Sequence, residues 1–163
     1  LNLTTISLGD LFAQLLASYE IEAHEHQIEM MQITNPELII LEADSDKLAR
    51  VLINLITNAF KYGEGATYIK LTAQVKAQEV EIRVINNGVQ IPQEALLEIF
   101  DRFYRVESSR NSKTGGTGLG LAIVKGIILQ HGGTVRATSD AELTTFIMTL
   151  PLKQSRGNRD EVD

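Results

Sequence analysis

Four of the six residues from Gly115 to Gly120 are glycine, against a usual proportion of about 7%. An apolar, helix-length run from Leu119 to Gln130 follows at once. Glycine has no Cβ, so this backbone can take positive φ and come close to a ligand. A glycine-rich turn opening onto a helix presents free backbone N–H groups and the positive end of the helix dipole, which together suit a phosphate. The same composition also fits a flexible loop before a core helix, so other features must decide.

Two familiar phosphate loops are excluded. A Walker A loop requires Gly-Lys-Ser/Thr, which does not occur in the chain. A dinucleotide fingerprint starting at Gly116 or Gly118 needs a small residue at 121 or 123, where Leu121 and Ile123 stand. The preceding residues, Glu107 to Thr114, are polar and charged and do not read as a strand.

The length of 163 residues fits one domain with a sizeable core. There is no cysteine, so neither a disulfide scaffold nor a thiolate metal site is available. No apolar run approaches the 18 residues of a membrane span, and the first residues carry no signal-peptide pattern. A net charge of -6 argues against nucleic acid as a partner. An anionic ligand would have to meet a local basic patch. One lies between Asp101 and Lys113, where Arg102, Arg105, Arg110 and Lys113 outnumber Asp101 and Glu107.

From the start of the chain, residues 2–6 read as an extended lead-in. A helix then begins with Ser7 as its N-cap and Asp10 in its first turn. Leu8, Leu11, Phe12, Leu15, Leu16 and Tyr19 form one buried stripe. His24 and His26, two residues apart, read as surface residues and not as metal ligands. Residues 28–33 and 38–42 are strand candidates divided by the Asn35-Pro36 turn signal.

A second helix, capped by Asp44 or Ser45, buries Leu48, Val51, Leu52, Leu55, Ile56 and Ala59. At roughly 100° per residue, Asn54, Asn58 and Lys61 fall within about 60° of one another beside that stripe, and Tyr62 lies between the two faces. Asparagine is a mediocre helix former, so a row of this kind needs a reason. Plain surface polarity is one reason. A row of ligands is the other: an amide oxygen can complete the shell of a Mg²⁺ ion held mainly by phosphates and water, and a lysine can pair with phosphate.

With these residues in view, the chain resembles the catalytic, ATP-binding domain of sensor histidine kinases, within the gyrase/Hsp90/histidine-kinase/MutL ATPase superfamily. The stretch from Asp46 to Tyr62 is similar to that family's N box, and the glycine stretch to its G2 box. Phe100-Asp101-Arg102-Phe103-Tyr104-Arg105 is similar to its F box. Asn86-Asn87-Gly88-Val89-Gln90-Ile91-Pro92 stands in the place of its G1 box, D-x-G-x-G-I-P. The resemblance covers roughly residues 3–152, with its motifs in the family's order.

The resemblance implies an α/β two-layer sandwich of the Bergerat type, a mixed sheet covered on one face by helices. The domain would span residues 1–153, followed by a disordered polar tail over 154–163. It implies ATP and Mg²⁺ as cofactors, with Asn58 as the metal ligand and Asn54, Lys61, Arg102 and Arg105 near the phosphates. Asn58, Lys61 and Arg105 take the catalytic roles. Tyr62, Gly88, Ile91, Gly116, Thr117, Gly118, Leu119, Gly120 and Leu121 would line the nucleotide site. A threonine near the base maps to Thr144 or Thr145, of which Thr145 is the choice. Residues 107–116 would form a lid.

Two departures stand out. Asn86 replaces the aspartate that reads adenine N6 in the family, and Gln90 replaces its second glycine. An amide that rotates freely offers a donor or an acceptor, so Asn86 is expected to separate adenine from guanine less sharply than a carboxylate.

Residues 67–73, 79–85, 134–139 and 143–150 read as strands, and residues 118–130 as the helix after the glycines. His131 before Gly132 reads as a capping or surface residue. The hairpin with the family's phosphoacceptor histidine is not found in these residues. The expectation is therefore a monomeric piece of a homodimeric, membrane-bound sensor. Its cytoplasmic catalytic domain would serve its own histidine hairpin and a response regulator. Two alternatives share the motifs: a degenerate nucleotide-binding regulatory module, and another ATPase of the superfamily.

Overall fold

The computed structural model describes residues 1–62, 64–101 and 120–155. Strand β1 (Leu3–Ser7) leads into α1 (Leu8–Ser18) and the short α2 (Glu20–Glu25). Strands β2 (Glu29–Asn35) and β3 (Ile40–Asp44) precede the long helix α3 (Ser45–Tyr62). Then come β4 (Tyr68–Lys76), β5 (Glu79–Asn86), a 3-10 turn at Gln93–Ala95, α4 (Gly120–Gln130), β6 (Thr134–Ser139) and β7 (Thr144–Pro151).

Five strands form one sheet in the order β2-β4-β5-β7-β6. The β2–β4 pair is parallel and the others are antiparallel, so the sheet is mixed, as expected. β1 and β3 form a separate antiparallel pair, with Leu3 opposite Asp44 and Ser7 opposite Ile40.

Strand alternation explains why the helices lie on one face. Ile69, Leu71 and Ala73 of β4, Val80, Ile82 and Val84 of β5, and Phe146, Met148 and Leu150 of β7 are all buried. The register aligns Val80, Ile82 and Val84 with Leu150, Met148 and Phe146, so these side chains share a face. They pack with the stripes of α1 and α3 and with Val124, Ile127 and Ile128 of α4 in one core. Phe100 meets Phe146 edge to face at 6.2 Å. The opposite face carries Lys70, Thr72, Arg83, Thr138 and Arg136.

The α3 stripe is as the periodicity predicts: Leu48, Val51, Leu52, Leu55 and Ile56 are fully buried. Asp44 is its cap, accepting the Lys47 N–H on Oδ1 at 3.2 Å. Ser7 stands just before α1 with extended backbone, but its side chain makes no capping bond. The Leu8 N–H instead donates to the carbonyl of Ile39, because β3 runs alongside. The strands run later than read: β2 continues through Asn35, and β3 starts at Ile40 and ends at Asp44. Their inter-strand bonds, to β4 and β1, are set by distant partners that local composition does not reveal.

Of the two readings of His131, capping holds and surface does not: it follows α4 directly and bonds that helix's last-turn carbonyl of Ile127. It is 1% exposed, and both ring nitrogens are engaged. Nδ1 bonds the carbonyl of Ile127 at 2.8 Å, and Nε2 accepts the Asp44 N–H at 3.1 Å. An amide N–H can only donate, so the ring is the neutral tautomer with its proton on Nδ1. Gln154, expected in the tail, donates its side-chain amide to the His131 carbonyl at 2.8 Å and is part of the fold.

Candidate nucleotide site

The site is built where α3, the N-terminus of α4 and the end of β5 come together. α3 and α4 pack antiparallel: Lys47 Nζ reaches Gln130 Oε1 at 3.2 Å near one end, and Asn54 Nδ2 reaches the Gly120 carbonyl at 3.5 Å near the other. The second bond sets Asn54 against the first residue of α4, and the first turn of a helix carries N–H groups without partners inside the helix, which suit an anion. Asn54 and Asn58 are half-buried beside the apolar stripe, and Lys61 is exposed. Tyr62 closes α3. Leu121 is half-buried and packs on the core, so its side chain serves as an anchor for the helix start.

Arg102, Arg105, Gly116, Thr117, Gly118 and Leu119, together with the expected lid over 107–116, lie outside the described residues. Among the described residues no group of three or more His, Asp or Glu is placed to hold a metal ion. The half-buried side-chain amide of Asn58 is a neutral oxygen donor of the kind that can complete the shell of an ion held mainly by phosphate and water.

The end of β5 forms a buried polar corner. Asn86 is 4% exposed and points to the helix face, like Val80, Ile82 and Val84 before it. Its Oδ1 accepts the Gly88 N–H at 2.9 Å. Opposite it in the ladder stand Ile69 on one side and Thr144 on the other. The Ile91 N–H donates to Ser139 Oγ at 2.8 Å, and Ser139 Oγ lies 2.7 Å from Thr144 Oγ1. Thr144 Oγ1 donates to the Val89 carbonyl at 3.4 Å. These bonds and the one from Gln93 Nε2 to the Ser139 carbonyl pin the 88–93 loop against β6 and β7. Thr145 pairs with Ile85 and Thr138 and lies on the other face of the sheet. Of the two threonines, it is Thr144 that stands beside Asn86, because successive side chains of a strand alternate faces.

Asn87, next to Asn86, has a structural task. Its Oδ1 accepts the Thr67 and Tyr68 N–H groups at 2.8 and 3.1 Å, and its Nδ2 donates to Thr67 Oγ1. Gln90 is exposed and its backbone is not among the positive-φ positions, so this site tolerates a side chain where the motif has glycine. Ser139 was not singled out by sequence. Its contribution comes from the register of the β6–β7 hairpin, which no local motif announces.

The fold and this site define a class of nucleotide-handling domain, and sequence comparison gives its family. Residues 43–154 match the family described as Histidine kinase-, DNA gyrase B-, and HSP90-like ATPase, and the chain belongs to it. Among its relatives is the sensor protein VanS of Enterococcus faecium, 42% identical over 159 residues, a match that covers 92% of this chain and 40% of VanS. The chain thus spans well under half of that relative's length. The catalytic domain of the histidine kinase ThkA superposes with a TM-score of 0.83 at 30% identity, over 94% of this chain and 97% of that one. ThkA in complex with the response regulator TrrA gives 0.77 at 29% identity, over 92% and 42%. Full-length ShkA in complex with AMPPNP gives 0.83 at 27% identity, over 95% and 32%. The fold is that of histidine kinase catalytic domains.

Proposed function

We propose that this chain binds ATP with Mg²⁺ and supplies the phosphoryl donor of a sensor histidine kinase. The observation that carries the reading is the Asn54–Gly120 bond, which holds the polar row of α3 against the N-terminus of the glycine-led helix α4. Phosphates set there would meet backbone N–H groups, and Lys61 stands one turn beyond Asn58 on the same face. Arg102 and Arg105, which the family resemblance assigns to the phosphates, would add positive charge. Asn58 would hold the Mg²⁺ ion, which neutralises phosphate charge when bound. The purine would lie against the Asn86 corner.

In the transfer itself, the bond from the γ-phosphorus to the β,γ-bridging oxygen breaks and a bond to an imidazole nitrogen forms, with ADP leaving. The chain's part is to position the donor and offset its charge. The acceptor is a histidine on a helical hairpin of the same kinase, and a response regulator then receives the phosphoryl group, in keeping with the ThkA–TrrA complex. The whole protein is a homodimeric membrane sensor with this domain in the cytoplasm. Among the described residues, no helix is long and apolar enough to cross a membrane.

The degenerate-module reading rests on Asn86 and Gln90. Neither blocks the site: Gln90 projects into solvent and Asn86 keeps a polar corner. The test is to mix the purified chain with the histidine hairpin of the same kinase, radiolabelled ATP and Mg²⁺. Label on the hairpin is the expected outcome. Tight ATP binding with no transfer would favour the degenerate module.

A further inference from the structure

We propose that Tyr19 is a positioning residue for the phosphate end of the nucleotide site: from the joint between α1 and α2 it holds the last turns of α3 and sets the rotation at which Asn58 and Lys61 are presented. The inference rests on the nucleotide reading above and adds a residue to it.

Tyr19 is mounted on both neighbouring helices. Its N–H closes α1 on the carbonyls of Leu15 and Leu16 at 3.2 and 3.3 Å, and its carbonyl accepts the Ala23 N–H of α2 at 2.8 Å. The half-buried side chain then reaches α3. Its hydroxyl shares a hydrogen bond with Thr57 Oγ1 at 3.1 Å. Its ring stacks on Phe60, with centroids 5.7 Å apart and planes inclined by 18°. His26, at the other end of α2, meets the same Phe60 ring edge to face at 5.4 Å. Both residues that flank the short helix α2 thus hold one ring of α3.

Thr57 and Phe60 directly precede Asn58 and Lys61. At about 100° per residue they lie on one side of the apolar stripe of α3, and Asn54, Asn58 and Lys61 lie on the other. The stripe keeps the helix on the core but opposes rotation about its axis less, because apolar contacts are non-directional. A hydrogen bond and a ring stack do fix direction. On the far side, the bond from Asn54 to Gly120 is long, at 3.5 Å, so the turn that carries Asn58 takes its setting from Tyr19. A rotation of about 10° moves a side-chain tip roughly 6 Å from the axis by about 1 Å. A displacement of that size can cost about a hundredfold where reacting groups must converge.

The experiment separates holding the fold from aiming the ligands. Tyr19→Ala removes the ring and the hydroxyl, and Tyr19→Phe restores the ring alone. Affinity for a fluorescent ATP analogue is measured on the folded proteins with Mg²⁺ and again in EDTA. With Mg²⁺, Tyr19→Ala should bind about tenfold more weakly than the wild type, and Tyr19→Phe about threefold. In EDTA both losses should shrink, because Asn58 then has no ion to hold. A Tyr19→Ala variant that melts earlier but binds like the wild type, or losses that EDTA leaves unchanged, would overturn the positioning role. Thr57→Val breaks the same hydrogen bond from its other partner and keeps the shape, so it guards against an alanine variant that misfolds. It should match Tyr19→Phe, and the double variant should lose no more than either single one. Losses that multiply would overturn the link. In the ligand-free protein, the ¹⁵N-labelled side-chain amide of Asn58 should move in Tyr19→Ala and return towards its place in Tyr19→Phe. An amide that keeps its wild-type position in both would also overturn the proposal. Failure of the wild type to bind ATP·Mg²⁺ at all would overturn the nucleotide reading and this inference with it. A wild type that binds, with variants that bind equally well, overturns this inference alone.

Discussion

His131 Nε2 accepts the backbone N–H of Asp44 at 3.1 Å, tying the residue after α4 to the residue that caps α3. The two helices that frame the proposed nucleotide site are thus clasped at the end far from it. Lys47–Gln130 adds a second, exposed link at that end. Near the site itself they meet through Asn54 and Gly120.

Removing the histidine should therefore cost stability and leave ligand binding alone. His131→Ala strands the buried Asp44 N–H and leaves a void, a loss of about 2–4 kcal/mol. Urea denaturation measures it. Nucleotide affinity, taken where the variant is still folded, should match the wild type. A variant with unchanged stability would mean that water or a rearranged Gln154 replaces the ring.

Acid should weaken the same end of the molecule. The Asn2 N–H on Oδ2, at 2.9 Å, is the main cause that holds the Asp44 carboxyl below its ordinary value of 3.8. Burial opposes this, and the Lys47 N–H and side-chain charge support it. With the folded value depressed, the carboxylate contributes stability above about pH 4, which fades as the pH falls through the folded value. Asp44→Asn should be less stable than wild type at pH 7, and the gap should narrow as the pH falls below about 4. A gap that stays constant over that range would assign the effect to shape, not charge.

How far the chain could be read in advance follows from which interactions are local. The α3 stripe, Asp44 as a cap option and the Asn54–Asn58–Lys61 face all lie within a few residues, so helical periodicity exposes them. The capping place of His131 was legible, but its bond to Asp44 was not, because that partner is 87 residues distant and arrives only when β3 meets the end of α4. The choice between Thr144 and Thr145 depends on a register with β5, and a shift of one residue reverses which of them faces the helices. The amide of Asn86 depended on a bond two residues on, and the motif comparison identified the substitution without its orientation.

The metal role of Asn58 is open to a direct test. It is half-buried and stands off the core stripe, so Asn58→Ala should change stability by no more than about 0.5 kcal/mol. Mg²⁺-dependent binding of a fluorescent ATP analogue should fall roughly ten- to hundredfold, the scale of a lost bond to a charged group. EDTA should erase the difference between the two proteins. Early melting of the variant, or a deficit that persists in EDTA, would place Asn58 in the scaffold or on the nucleotide directly.

The two threonines of β7 separate the faces of the sheet. Thr144 shares the helix face with Asn86 and carries one step of the donor chain that fixes the 88–93 loop. Thr144→Val keeps the shape and removes the hydroxyl. Ser139 then loses its acceptor and the loop its tie to β7. Losing one such bond is worth roughly 1 kcal/mol, so nucleotide affinity should fall about fivefold through the loosened base corner. Thr145 is 7% exposed on the other face, opposite Ile85 and Thr138. Thr145→Val preserves a β-branched strand residue there, and its affinity should equal the wild type's. Competition binding on the two variants in parallel gives the answer. If Thr145→Val is the weaker binder, the base meets the sheet on the face away from the helices, and the corner built around Asn86 and Ser139 is not its pocket.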